Sequence, residues 1–268
     1  MNLDPWQWAL AAVGAMLIGI SKTGVGGLSV LFVAIFANLM PTKLSSGFAL
    51  PLLVLADFVA VGSYRRHTQW RHLWRLLPWT MAGVVLGYVA MRKIDDRQAT
   101  VLVGGILCGM VVLHLGRRWQ AGARARRAAG IAAAGGPDAW PEEATEHGWW
   151  FAPLVGVLAG FATLVANAAG PLMAIYLLAM RLPKLEFMGT GAVYFLLMNF
   201  FKVPFMVNLG LVTAGTLQAN LWLAPAVLAG AWLGRVILHR LKQKWFENLA
   251  LALAVIGALN VLRQSWGG

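Results

Sequence analysis

The sequence predicts an all-α polytopic membrane protein built from two inverted repeats, each a broken re-entrant helical hairpin followed by three transmembrane helices. The first observation is composition: 59% of the residues are hydrophobic, 12% are charged and the mean hydropathy is +0.68. A soluble core of this length uses fewer apolar and more charged residues. The second is a series of apolar runs long enough to cross a bilayer. The third is a pattern of prolines and glycines that recurs in the two halves of the chain.

The first repeat is expected to occupy residues 1–116. Its first apolar segment, residues 6–39, is too long for one straight span and is interrupted by Ser21-Lys22-Thr23-Gly24-Val25-Gly26-Gly27. A spanning helix needs roughly 17 to 25 apolar residues, so the two shorter pieces are typical of the half-helices of a hairpin. Three uninterrupted spans are then predicted over residues 44–64, 73–91 and 98–116.

The second repeat is expected to occupy residues 149–268, after a flexible polar linker over residues 117–148 that is rich in arginine, then glycine and alanine, then glutamate. Its hairpin, residues 149–180, is interrupted at Asn167-Ala168-Ala169-Gly170-Pro171. Three further spans are predicted over residues 187–206, 218–238 and 246–263.

Matching residues in the two halves indicate an internal duplication. Pro78, Gly83 and Gly87 have the same spacing as the matching set Pro225, Gly230 and Gly234, at an offset of 147 residues. Further matches at offsets near 142 residues are Pro41-Thr-Lys-Leu44 with Pro183-Lys-Leu185, Asp57-Phe58 with Asn199-Phe200, and Gly19 with Gly160. Each match alone is weak, but together they favour one ancestral unit copied once.

Basic residues predict the orientation of the chain. They cluster in four loops: Arg65, Arg66, Arg71 and Arg75; Arg117, Arg118, Arg124, Arg126 and Arg127; Arg181 and Lys184; Arg235, Arg240, Lys242 and Lys244. Positively charged loops stay in the cytoplasm, so these loops and the linker are predicted to be cytoplasmic and both termini extracytoplasmic. The loop with Arg92, Lys93 and Arg97 lies outside in this arrangement. The net charge of +12 is thus explained by topology and anionic lipid headgroups, and nucleic-acid binding is not expected.

The two breaks place polar, glycine-rich backbone at membrane depth, which is typical of a transport site. If the hairpin tips meet near the midplane, the half-helices that begin after each break point free N–H groups and positive dipole ends at one place, an arrangement that suits an anion. The predicted binding residues are Ser21, Lys22, Thr23, Gly24, Gly26, Gly27, Asn167, Ala168, Gly170 and Asn199. The alternative is that the glycines serve only close helix packing and the tips are sealed.

Charged residues inside spans leave further alternatives. A charge near the bilayer centre faces a cavity or a partner, so Lys22 either meets the anion directly or pairs with Asp57 or snorkels. For Lys202, beside Pro204 near the end of its helix, we expect snorkelling toward the interface. Asp57 either carries a proton during transport or forms a plain ion pair with a lysine.

Several other kinds of site are not expected. The histidines lack metal-ligand spacing, and Ser21-Lys22-Thr23-Gly24 reverses the order of a phosphate-binding loop. The lone Cys108 excludes an internal disulfide and is expected to be a packing residue. Because no nucleophile and base, or metal ligands, occur on facing spans, we expect neither an enzyme nor a cofactor.

The chain resembles the TauE/SafE family of membrane transporters, described as sulfite exporters or anion transporters. The resemblance extends over nearly the whole chain. It rests on Gly19-Ile-Ser-Lys-Thr-Gly-Val-Gly-Gly27, Pro41-Thr-Lys-Leu44, Tyr64-Arg-Arg66, Ala166-Asn-Ala-Ala-Gly-Pro-Leu-Met-Ala-Ile-Tyr-Leu-Leu-Ala-Met-Arg-Leu-Pro-Lys184, Gly189-Thr-Gly-Ala192 and Asn199-Phe-Phe-Lys-Val-Pro204. Many members have three glycines followed by Val-Pro in both breaks. This chain has Gly26-Gly27-Leu28 and Ala169-Gly170-Pro171 instead.

The resemblance and the breaks together imply a secondary transporter in the bacterial inner membrane that exports a small anion, such as sulfite or an organosulfonate, by alternating access. Protons are a candidate coupling ion, and a homo-oligomer is compatible with the pattern. A passive anion channel of the same architecture is the main alternative. An intramembrane enzyme and a purely structural membrane subunit are the others.

Overall fold

The computed structural model describes residues 4–24, 28–95, 97–98, 101–102, 105–106, 109, 112, 116 and 150–266. Nine α-helices have described bounds, and the described residues contain no strand. The predicted class, an all-α polytopic membrane protein, is therefore confirmed. The predicted linker over 117–148 and Cys108 lie outside the described residues, as do Gly26, Gly27 and most of the predicted span over 98–116.

Four helices and one short turn have described bounds before the gap. Helix α1 covers Pro5–Thr23, α2 Ser29–Leu39, α3 Thr42–Tyr64 and α4 Trp70–Met91, with a 3₁₀ turn at Arg65–His67 between α3 and α4. Prolines help to set the helix starts: Pro5 is the first residue of α1, and Pro41 directly precedes α3. The interruption between α1 and α2 begins after Thr23, so it falls in the later part of the predicted first break, and Ser21, Lys22 and Thr23 form the end of α1.

Five helices follow the gap. Helix α5 covers Phe151–Ala166, α6 Ala169–Ala179, α7 Lys184–Asn208, α8 Ala214–Arg240 and α9 Gln243–Trp266. The interruption between α5 and α6 falls at the predicted second break. Within the described residues, four helical stretches have the length and apolar composition to cross a membrane: Lys43–His67, Trp70–Met91, Lys184–Asn208 and Ala214–Arg240. The predicted span over 246–263 lies inside α9, which is not among these four.

Close helix packing joins residues from opposite halves of the chain. Helix α1 packs along α8, and α4 packs along α5. A Cβ atom on Gly19 would collide with the Val227 carbonyl oxygen and the Ala231 nitrogen. Only glycine lets the two backbones approach this closely.

The second pair of helices repeats this contact at matching positions. A Cβ atom on Gly160 would collide with the Thr80 carbonyl oxygen, and one on Gly83 would collide with the Val157 carbonyl oxygen. Thr80 in α4 corresponds to Val227 in α8 at the offset of 147 residues that the proline and glycine spacing indicates. The contacts agree with the predicted duplication, whereas the inverted arrangement stays a prediction.

Two lysines hold equivalent helix ends. The Lys43 ammonium donates to the carbonyl oxygens of Met91, at 3.2 Å, and Ile94. The Lys184 ammonium donates to those of Leu238, at 3.1 Å, and Leu241, at 2.6 Å. A cation at a helix C-terminus satisfies carbonyls that have no partner in the helix.

Several basic loops lie on one face of the bundle. The Thr68 hydroxyl donates to the Gly189 carbonyl at 3.2 Å, so the turn after α3 lies beside the start of α7. Lys184 at that start contacts the end of α8. The rings of Phe151 and Tyr176 stack 5.8 Å apart, so the first residue of α5 lies beside the last turn of α6. A hairpin that returns to the side on which it began has its two ends side by side, as the start of α5 and the end of α6 are.

Candidate functional site

The second break is shaped by Asn167, which has a left-handed backbone with φ 52° and ψ 26°. Asparagine tolerates this conformation better than most residues other than glycine, and it ends α5 as a left-handed cap does. The Asn167 N–H donates to the Thr163 carbonyl at 3.2 Å. Its side-chain Nδ2 donates to the Ser46 carbonyl of α3 at 2.9 Å, which anchors the break to the first half of the chain.

The Lys202 side chain hydrogen-bonds to residues at the same break. Its ammonium donates to the Asn167 Oδ1 atom at 2.6 Å, to the Thr163 carbonyl at 3.0 Å and to the Thr163 hydroxyl at 3.3 Å. Lys202 is fully buried. The expectation that Lys202 snorkels to the interface is therefore wrong, because its three donors all find acceptors at the end of α5.

The first break contributes an ion pair. The Lys22 Nζ atom lies 2.8 Å from the Asp57 Oδ1 atom, and 3.8 Å from the centre of the Phe195 ring. Asp57 is fully buried, whereas the Lys22 side chain retains 9% of its exposure. Lys22 therefore makes the ion pair that one alternative predicted and also lines the cavity described below. It does not snorkel.

Asp57 also meets its counterpart in the other half. The Asn199 Nδ2 atom donates to the Asp57 Oδ2 atom at 2.5 Å. The neighbouring rings of Phe58 and Phe200 contact each other edge to face, with centroids 5.6 Å apart. Because these two pairs are matched in the duplication, equivalent positions of α3 and α7 touch each other, as residues beside a two-fold axis do.

The two breaks line one cavity. The space open to the centre of a water-sized molecule is about 40 Å³, compared with the roughly 10 to 15 Å³ that one water needs. Its polar lining comes from both halves: Ser21, Lys22, Ser29, Thr163, Asn167 and Asn199. Its apolar lining is Phe32, Leu53, Met173, Ala174, Leu177, Phe187, Met188, Ala192 and Phe195, with Gly170 and Gly191. Five of the predicted binding residues are in this lining: Ser21, Lys22, Asn167, Gly170 and Asn199.

Three other predicted site residues lie elsewhere. The Thr23 hydroxyl donates to the Ala231 carbonyl of α8 at 2.6 Å, so it serves helix packing. Gly24 lies against Gly234, where a Cβ atom would be 2.8 Å from the Gly234 carbonyl oxygen. Ala168 is buried and is not part of the cavity lining. Gly26 and Gly27 lie outside the described residues.

The start of α6 offers backbone donors. The helix begins at Ala169, so Pro171 occupies the third helical position. The N–H groups of Ala169 and Gly170 belong to the first turn of α6 and therefore have no acceptor within that helix. Such groups at a helix N-terminus attract anions, and Gly170 lines the cavity.

Sequence reasoning missed Thr163, Phe195 and Ser46. Thr163 lies one helical turn before Asn167, and this spacing on a helix that carries a polar break was the available signal. Phe195 and Ser46 had no comparable signal, because their roles depend on how α3 and α7 pack around the breaks. Chemically, the site combines ammonium, amide, hydroxyl and backbone N–H donors with one carboxylate that is already paired.

The comparisons with known proteins agree with this description. The family model described as sulfite exporter TauE/SafE matches residues 10–261. No curated protein matches the chain, and no solved structure does. The family match extends over both breaks and all nine described helices at least in part. The chain therefore belongs to the sulfite exporter TauE/SafE family, a family of membrane transporters.

Proposed function

We propose that the protein is a secondary transporter in the bacterial inner membrane that exports a small anion, sulfite or an organosulfonate, by alternating access around the central cavity. The observation that carries the proposal is the meeting of the two breaks: Ser21 and Lys22 from one and Asn167 and Gly170 from the other line the same space. The family match supports transport, and the cavity chemistry supports an anion.

The donors in the cavity fit an oxyanion. Sulfite and sulfonates present several acceptor oxygens and no strong donor. Lys22 supplies an ammonium, Asn167 supplies an amide, and the first turn of α6 supplies N–H groups at a positive dipole end. The Ser21 hydroxyl donates to the Ile18 carbonyl at 3.0 Å and is not one of these donors. A cationic substrate would need a carboxylate partner, but Asp57 already contacts Lys22 and Asn199.

The apolar side chains around the cavity support alternating access. Phe32 from the first half and Met173, Met188 and Phe195 from the second surround it. Phe32, Met173 and Met188 are almost fully buried. In this proposal, an anion enters or leaves as elements of the two halves move relative to each other, as in transporters with binding sites at a repeat interface.

Asp57 supplies a route for proton coupling in this proposal. Protonation of Asp57 would remove the charge that holds Lys22 at 2.8 Å. The Lys22 ammonium would then be free to contact the anion, so proton binding and anion binding would favour each other.

Ligand-induced thermal stabilisation tests the proposal. Purified protein is heated with sulfite, methanesulfonate, thiosulfate or acetate at one pH and ionic strength. We expect sulfite or methanesulfonate to raise the melting temperature, because a ligand that binds only the folded state stabilises it.

Two lysine variants show whether the stabilisation comes from the cavity. Lys22→Met should abolish it. Lys184→Met removes a lysine that contacts only helix ends and should preserve it. Equal stabilisation of wild type and Lys22→Met would contradict the site, and no stabilisation of the wild type by any of the anions would contradict the proposed function.

A further inference from the structure

The buried charges beside the cavity do not balance. Lys22 and Asp57 form an ion pair with 2.8 Å between Nζ and Oδ1. Lys202 is fully buried and forms no ion pair with any described residue. No other described residue that lines the cavity carries an ionisable side chain, and residues 25–27 are valine and glycines. The three groups together carry one positive charge in excess.

The acceptors around Lys202 fit its charged form. An ammonium has three N–H donors, and a neutral amine has two. Three acceptors surround the Lys202 nitrogen: the Thr163 carbonyl at 3.0 Å, the Thr163 hydroxyl at 3.3 Å and the Asn167 Oδ1 atom at 2.6 Å. The Asn167 amide has its Nδ2 turned to the Ser46 carbonyl, so its oxygen faces the lysine. The Thr163 carbonyl and the Asn167 Oδ1 atom can only accept, and the Thr163 hydroxyl can accept as well, so every N–H of the charged form has a partner.

Lys202 lies directly behind the cavity wall. Thr163 and Asn167 line the cavity on one side and accept from Lys202 on the other. A buried charge without an opposite charge is strongly unfavourable. A negative charge in the cavity would compensate it across these two residues, with little solvent between to screen the interaction.

We propose, as an extension of the proposed function, that Lys202 is a specificity-determining residue: while Asp57 is ionised, the single excess positive charge makes the cavity select singly charged over doubly charged anions of similar size. A monoanion leaves the group of Lys22, Asp57, Lys202 and ligand neutral. A dianion leaves one buried negative charge without a partner. Lys202 acts through Thr163 and Asn167 and does not line the cavity itself.

The test compares two permanent anions of similar tetrahedral shape, methanesulfonate with one charge and sulfate with two. Their dissociation constants are measured on the purified full-length protein by isothermal titration calorimetry at one pH and ionic strength. We expect the wild type to bind methanesulfonate at least tenfold more tightly than sulfate.

Two substitutions change the charge balance in opposite directions. Asp57→Asn raises the excess to two positive charges and should shift the affinity ratio toward sulfate by at least tenfold. Lys202→Gln lowers the excess to zero and should weaken sulfate binding by a larger factor than methanesulfonate binding. Lys184→Met also removes one positive charge, but from a lysine that contacts only helix ends, and should keep the wild-type ratio.

The ratio separates charge from structural damage, because a distorted cavity weakens both anions together. If Lys202→Gln does not fold, Asp57→Asn carries the test alone. An unchanged ratio in Asp57→Asn would overturn the inference while leaving anion transport intact. A wild type that binds neither these anions nor sulfite would instead overturn the proposed function, and the inference with it.

Discussion

Asn167 joins the parts of the site at the scale of a single residue. Its backbone ends α5, its Nδ2 holds α3 and its Oδ1 receives Lys202. No other residue type with a left-handed preference offers both a donor and an acceptor at this length. Glycine would fit the backbone and lose both bonds, whereas aspartate would accept from Lys202 and lose the donor to Ser46.

Replacement of Asn167 separates these contributions. Asn167→Gly loses two buried side-chain hydrogen bonds, each worth about 1 to 3 kcal/mol when a partner is left unsatisfied. Asn167→Ala loses the same bonds and adds left-handed strain, so we expect it to be roughly 1 kcal/mol less stable than the glycine variant. Thermal unfolding in detergent measures the difference. Equal stability of the two variants would contradict the left-handed backbone at this position.

The residue scale also shows the limits of sequence reasoning. The polar types at Ser21, Lys22 and Asn167 were sufficient to identify both breaks, because polar groups at membrane depth need partners. The burial of Lys202 against α5 was not predictable in the same way. Its nearness to Pro204 suggested a helix end, whereas α7 continues through Pro204 to Asn208 and buries the lysine against α5.

At the scale of helices, glycines set the distances between halves. Gly19 and Gly160 occupy matched positions on α1 and α5, and each lets its helix touch the backbone of a helix from the other half. The sequence revealed their spacing. It did not reveal their partners, since a glycine pattern on one helix is compatible with packing against any neighbour.

Alanine substitution tests these contacts. A Cβ atom at Gly19 or Gly160 would collide with backbone atoms that cannot turn away, so each variant should lose about 1 to 3 kcal/mol of stability. Gly62→Ala is the matched control, because nothing lies within 4 Å of a Cβ atom there. It should be neutral or more stable by up to ~1 kcal/mol. Thermal unfolding of all three checks this, and a Gly19→Ala variant as stable as Gly62→Ala would refute the close packing.

At the scale of the whole molecule, contacts between matched positions of the two halves occur at helix ends, along helices and between α3 and α7. Lys43 and Lys184 hold the ends of α4 and α8, the matched glycines join the halves, and Asp57 meets Asn199 between them. The basic loops that share one face are consistent with the charge-based orientation. Charge counting alone could not have placed the loop of Lys93, because the predicted orientation puts this loop outside despite its basic residues.

Cysteine labelling tests that orientation. In a Cys108→Ser background, single cysteines replace exposed residues as His67→Cys, His239→Cys, Lys93→Cys or Ala214→Cys. An impermeant thiol reagent added to intact cells should label the cysteines at 93 and 214. The cysteines at 67 and 239 should react only after permeabilisation, because their loops are predicted to be cytoplasmic. Labelling of 67 and 239 alone would contradict the predicted orientation. Labelling of 67 and 214 alone, or of 93 and 239 alone, would contradict the inverted arrangement, because these pairs lie at equivalent helix ends of the two halves.

Anion flux through reconstituted vesicles tests the central claim most directly. Vesicles with purified protein are loaded with unlabelled sulfite or methanesulfonate, and uptake of the labelled anion from outside is followed. We expect saturable uptake that is accelerated by the internal anion, and we expect replacement of both Lys22 and Asn167 by alanine to abolish it. Unchanged uptake in that double variant, or uptake that rises without saturation and ignores the internal anion, would contradict alternating access around this cavity.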